Sequence, residues 1–103
     1  MILVPCKQND KMTTKEKLLK ALEIEKQGDW DKSHEIVQNM QHALAYWIHA
    51  YLHRKEPDLN NASYWYARAK KPVPKIDYSY DKEWQEIYDY IKKADMAEEN
   101  MPW

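Results

Sequence analysis

The residues of this chain best suited to chemistry lie on one predicted helix. His42, Tyr46, His49, His53 and Glu56 follow one another at intervals of 4, 3, 4 and 3, which on an α-helix sets them along a single stripe. His49 and His53, at i and i+4, turn two imidazoles to one side and so suit a divalent metal ion, with His42 and Glu56 as further donors. One helix is a stretched frame for a ligand triad. The H-E-x-x-H arrangement, which sets a general base between its two histidines, is absent. The same pattern is met by histidines that hydrogen-bond and pack between helices, His49 being next to the small Ala50. Their near-neutral pKa would then make that packing sensitive to pH. Ligand and packing readings are both open at this level.

A second group is the aromatic run Tyr64-Trp65-Tyr66, with Arg68, Lys70, Lys71 and Lys75 behind it. Aromatics interleaved with cations can stack bases and hold phosphates. Here helical periodicity sets Trp65 and Tyr66 on the face of Leu59 and Ala62, with Tyr64 pointing away. The cations fall at a helix C-terminus, where they are favourable in any case. No nucleic-acid partner is expected. Catalysis finds little support: Cys6 has no neighbouring histidine, and there is no Ser-His-Asp pattern or paired-carboxylate motif. The single glycine leaves no phosphate-cradling loop. A non-catalytic protein without a cofactor is the expectation.

The elements that must position these residues read as helices throughout. Thr13-Thr14-Lys15-Glu16 forms a capping box, and the helix behind it carries Leu18, Leu19, Ala21 and Leu22 on one face and ends before Gly28. Asp29 caps a second helix with Trp30, Ser33, Ile36, Val37 and Met40 on a shared face. The third, about 41–55, is apolar on nearly all sides, so it is the central element. Pro57-Asp58 opens a fourth, and Pro72-Val73-Pro74 ends it. A fifth helix from Tyr80 to Met96 places Trp84, Ile87, Tyr88 and Ile91 at core spacing, with Glu86, Asp89 and Lys93 outward. The expected layout is a single domain: an extended segment 1–12, hairpins 13–40 and 41–71, a proline-containing loop 72–79, a capping helix 80–96 and a tail 97–103.

Composition sets the outer bounds. With 103 residues and a net charge of −1, bulk electrostatics favour neither nucleic acid nor an anionic membrane. Five Trp, eight Tyr and no Phe give every aromatic side chain a polar handle, in a core or on a binding surface. The lone Cys6 allows no internal disulfide and suits a reducing compartment. Met1-Ile2-Leu3-Val4 ends at Pro5, shorter than the roughly 7–15 apolar residues of a signal-peptide core. Leu3-Val4-Pro5-Cys6 faintly matches a lipoprotein cleavage site but has no hydrophobic stretch before it. A cytoplasmic protein without membrane contact is expected.

The chain also echoes itself at a spacing of 29 residues. Leu18, Leu19, Ala21 and Leu22 fall on Trp47, Ile48, Ala50 and Tyr51; Gly28-Asp29 falls on Pro57-Asp58; Ser33 and Val37 fall on Ala62 and Tyr66. Small residues recur where two helices must approach closely, and each copy sets a turn residue before Asp. Such a period marks stacked helical hairpins.

These residues resemble the tetratricopeptide class. Its motif of aromatic, small, Gly-Asp turn, Ala, aromatic, Ala and Pro is matched by Tyr46, Ala50, Pro57-Asp58, Ala62, Tyr66, Ala69 and Pro74. The first copy matches with Ala21, Gly28-Asp29, Ser33 and Val37. The 29-residue spacing is shorter than the family's 34, so the link between hairpins is shortened. The strings GDWDKSHEIVQ, WIHAYLHRKE and NASYWYARA are similar to a group of short uncharacterised bacterial proteins, in which Gly stands where this chain has Pro57. The resemblance implies an all-α fold, two stacked antiparallel hairpins with a C-terminal capping helix. It also implies that the first helices of the pairs line a concave face, with Leu18 and Leu22 beside Leu44, Trp47, Tyr51 and Arg54. Such a face would receive a partner protein segment or a second copy of the chain, unless the fifth helix or the Met1–Cys6 segment covers it. The expected function is protein interaction through the faces of the central helix. The alternative is small-ligand or metal binding through His42, His49 and His53 with Glu56.

Overall fold

Each helix begins where the sequence offers a cap. The computed structural model describes residues 12–94; the expectations for Cys6, the rest of the N-terminal segment before Met12 and the tail lie outside the described residues, whereas the fifth helix, expected to run to Met96, closes at Lys93 with Ala94 extended. Within them are five helices, α1 Thr14–Lys26, α2 Trp30–Val37, α3 Ala43–Lys55, α4 Leu59–Ala69 and α5 Tyr80–Lys93, and no strand. The fold is all-α. Thr13 and Glu16 close the expected capping box, Glu16 N donating to Thr13 Oγ1 at 3.1 Å and Thr13 N to Glu16 Oε1 at 3.0 Å. Asp29, Asp58 and Ser79 cap α2, α4 and α5 through their side-chain oxygens.

The 29-residue echo extends to individual backbone bonds. Asp29 N donates to Ile24 O at 3.1 Å and Asp58 N to His53 O at 2.9 Å, the same bond one repeat apart. The two caps have nearly equal dihedrals, φ −101° and ψ 79° for Asp29 against φ −106° and ψ 82° for Asp58. The preceding residue is left-handed in both copies, Gly28 at φ +99° and Pro57 at φ +31°. Ala21, Ala50, Ser33 and Ala62 are all fully buried, and the Ser33 hydroxyl donates to Ala21 O at 2.8 Å. Small side chains let the paired helices approach this closely.

α3 is the centre, packed against α1, α2, α4 and α5. Leu44, Ala45, Ile48, Ala50 and Leu52 are buried on its several sides. α5 lies across the first helices of both pairs, antiparallel to each. Against α1, Trp84 Nε1 donates to Leu22 O at 3.0 Å, while the Lys15 ammonium donates to Lys92 O at 3.0 Å. Against α3, Trp47 and Arg54 both reach Glu83 and the Trp47 ring meets Tyr90. Trp84, Ile87 and Ile91 are buried in these contacts. No helix of the described residues is long and apolar enough to cross a membrane.

The placement of α5 decides between the alternatives left open for the concave face. Leu18, Leu22, Leu44, Trp47, Tyr51 and Arg54, expected there for a partner unless the fifth helix covers them, are all buried, none more than 7 % exposed. The strongly one-sided α5 needs an apolar surface to cover, and the paired first helices supply it. In this chain the groove is filled from within.

Candidate functional site

The histidines gather around two helices. α3 carries His49 and His53 one turn apart, and α2 contributes His34, so that one ligand atom from each lies within 4.8 Å of the others. The His34 and His49 rings meet edge to face at 4.6 Å, His34 and His53 at 5.2 Å, and His49 lies near-parallel to His53 at 5.0 Å. Two tryptophans wall the group, Trp30 stacked on His34 at 4.9 Å and Trp65 on His49 at 4.0 Å. Trp30 is itself fixed by its indole N–H donating to Leu52 O at 2.7 Å.

Each imidazole has a different environment. His53 Nδ1 lies 2.9 Å from Glu56 Oε1, so the carboxylate holds the Nδ1–H tautomer and leaves Nε2 as the basic nitrogen. His49 is buried and its Nδ1 has no hydrogen-bond partner. Burial first, then the neighbouring His34 and His53, push its pKa down to about 3. His34 is half-buried and its pKa is likewise lowered, by burial and by His53, against the opposing pull of Glu56 and Asp31. It also lines an open depression of about 330 Å³ with Asp29, Asp31 and Glu35.

His42 does not join them. It is the N-cap of α3, extended at φ −152° and ψ 138°, and its Nδ1 accepts from Leu44 N at 3.0 Å. The helical stripe drawn from position 42 therefore begins one residue later, which removes His42 from it. His34 takes its place, a residue that no single-helix spacing links to His49. A second overlapping group, His53, Glu56 and Asp58, gathers at the C-terminal end of α3.

A separate cleft of about 600 Å³ opens where α4 ends, the proline loop passes and α5 begins, lined among others by Trp47, Lys71, Pro72, Pro74, Tyr78 and Tyr90. Lys70 ends α4 in the left-handed conformation, φ +60°, turning Lys71 back over the core. Its ammonium lies 4.2 Å from the Trp47 ring centroid and 4.9 Å from that of Tyr90, two rings set edge to face at 5.9 Å. Beneath them Glu83 accepts from Trp47 Nε1 at 3.2 Å, Tyr66 OH at 2.6 Å and Arg54 at 2.9 Å. The Tyr78 hydroxyl donates to Glu86 at 2.6 Å on the rim. Of these residues Trp47 and Arg54 were candidates for the partner-binding face, and Tyr66 and Lys71 belonged to the basic aromatic run. Tyr90 falls beside the core positions of α5, and the three-residue Pro-Val-Pro segment signalled a break without showing what it would enclose.

The basic aromatic run is spread over different tasks. Tyr66 is in the core, Trp65 covers His49, and Arg68 is shared by Tyr46, Tyr64 and Trp65. No family model, curated protein or solved structure matches the chain.

Proposed function

We propose that this chain is a non-catalytic binding module that receives an extended protein segment in the cleft between the proline loop and α5, anchored there by a lysine or arginine side chain. The observation that carries this reading is the Lys71 ammonium over the paired Trp47 and Tyr90 rings. Ring faces attract a cation electrostatically, more strongly where water is excluded, so a pair that already accommodates one ammonium is shaped for another. The volume falls within the range of ligand sites, and the rim carries Glu86 and Asp89 as well as Lys75 and Lys93, so the aromatic pair, and not the net charge, is what selects a cation. Lys71, on its flexible four-carbon stem, is the group an incoming cation displaces. A second copy of the chain is the other reading with an observation behind it, because Val73 and Ile76 of the same loop are 48 % and 88 % exposed.

The test is a peptide panel varying only one central residue, lysine, acetyl-lysine or norleucine, read by tryptophan fluorescence. Lysine peptides bind the wild type, acetyl-lysine peptides bind more weakly, and a folded Tyr90→Ala variant loses the difference. Equal binding of lysine and acetyl-lysine peptides, or an unchanged Tyr90→Ala, overturns the cation-anchored reading. Light scattering across a concentration series decides for or against the second copy.

A further inference from the structure

We propose that His34, His49 and His53 form a binding site for one divalent first-row transition-metal ion, with zinc the ion that best suits three imidazoles and one position left to water or a partner. The site is independent of the peptide cleft. Its donors come from two helices, which removes the strain of a one-helix triad: α3 supplies an i, i+4 pair and α2 the third ligand from across the interface. Their ligand atoms lie within 4.8 Å of one another. Tetrahedral zinc with Zn–N bonds of about 2.0–2.1 Å needs nitrogens roughly 3.3 Å apart, so the three nitrogens have at most about 1.5 Å to close on one another when the ion enters.

Two further features point the same way. Histidines that serve only packing find hydrogen-bond partners when buried, whereas His49 Nδ1 is buried with none. His53 is held by Glu56, the carboxylate–histidine arrangement that fixes a metal-binding tautomer and ring orientation. Access is through His34, which reaches both the cluster and the depression it shares with Asp29, Asp31 and Glu35. Imidazole donors favour zinc, copper and nickel over magnesium or calcium.

The experiment is zinc titration of the tag-free full chain at neutral pH, followed by calorimetry, by melting temperature and by long-range proton–nitrogen NMR of its four imidazoles. One zinc per chain binds and raises the melting temperature. The ring nitrogens of His34, His49 and His53 shift while those of His42 do not. His34→Asn, a half-buried position, folds and loses more affinity than the roughly 10–100-fold expected for the supporting Glu56→Gln. Cys6→Ser and Tyr90→Ala keep full affinity, and His34→Asn keeps peptide binding, so failure of this site and failure of the cleft are told apart. Absence of binding at millimolar zinc overturns the proposal, as does binding that survives His34→Asn or that depends on His42.

Discussion

Arg54 Nη1 lies 2.9 Å from Glu83 Oε1, and both side chains are buried. The pair joins α3 to α5, and its remaining bonds tie in the rest of that end of the molecule. Glu83 also accepts from Trp47 and Tyr66; Arg54 also donates to the Tyr78 carbonyl and lies 4.5 Å over the Tyr80 ring. Burial pushes the Glu83 carboxyl up from the usual carboxylate range, and the donors from Tyr66, Trp47 and Arg54 pull it back. Removing one partner leaves the other charge buried alone, at a cost of about 3–5 kcal/mol. Arg54→Met is expected to lose that much in urea denaturation. Arg54→Met combined with Glu83→Leu recovers a large part of it, since neither charge is then stranded. A double variant no more stable than Arg54→Met alone would show that Glu83 matters chiefly through Trp47 and Tyr66.

Pro57 occupies the position at which Gly28 stands in the first copy. Its φ of +31° lies outside the range near −65° to which its ring confines it. Glycine takes the conformation freely but returns about 0.4–1 kcal/mol of unfolded-state entropy. Pro57→Gly is therefore expected to raise stability, seen as a higher urea midpoint at unchanged slope. A lower midpoint would mean that Pro57 restrains the unfolded chain more than it strains the fold.

Ala50 and Ala62 are fully buried on α3 and α4, where the first copy has Ala21 bonded through its carbonyl to Ser33. Ala62 has no exposed surface, so Ala62→Leu must displace its neighbours, at about 1–3 kcal/mol. Ser33→Ala is milder, because it removes one donor and leaves the Ala21 carbonyl, already bonded within its helix, without a second partner. The two are compared by thermal unfolding. An Ala62→Leu no worse than Ser33→Ala would indicate free space at the crossing.

These positions also show what was legible in the sequence. Caps, turn residues and the spacing of small residues are local demands, so Thr13, Asp29, Asp58 and the Ala21/Ala50 echo could be read directly. The apolar girth of α3 likewise announced the central helix. The course of α5 was not legible: amphipathicity tells that a helix covers something, not which face it covers. His34 was missed for a related reason. It sits on the exposed-looking side of α2 between Ser33 and Glu35, and only the packing of α2 on α3 brings it to His49. His42 was misassigned because a stripe drawn from spacing assumes helix up to its first residue, and the N-cap lies outside it.

The stability of the metal-free chain against acid reports on the same cluster. His49 is held neutral, with a pKa of about 3, and His34 is lowered in the same direction; unfolded, both titrate near 6.5. Below that value the unfolded chain takes up protons that the native chain refuses, so stability falls as pH drops from about 6.5 toward 3 and is unaffected by these groups above it. His49 contributes at most about 1.4 kcal/mol per pH unit in that window, and His34 adds to the decline in the same direction. His34, His53, Glu56 and Asp31 face the cluster, and Asp58 stands near His53. Ordinary carboxylates titrate mostly below about pH 5, and the raised Glu83 carboxyl is common to wild type and His49→Leu, so the difference between the two from about pH 5 to 6.5 isolates the His49 imidazole. Urea midpoints measured there in the presence of a chelator should decline for the wild type and decline less for His49→Leu, which cannot take up the proton on unfolding. A wild type equally stable at both ends of the interval would mean that the cluster accepts protons while folded, and that its nitrogens are open to water.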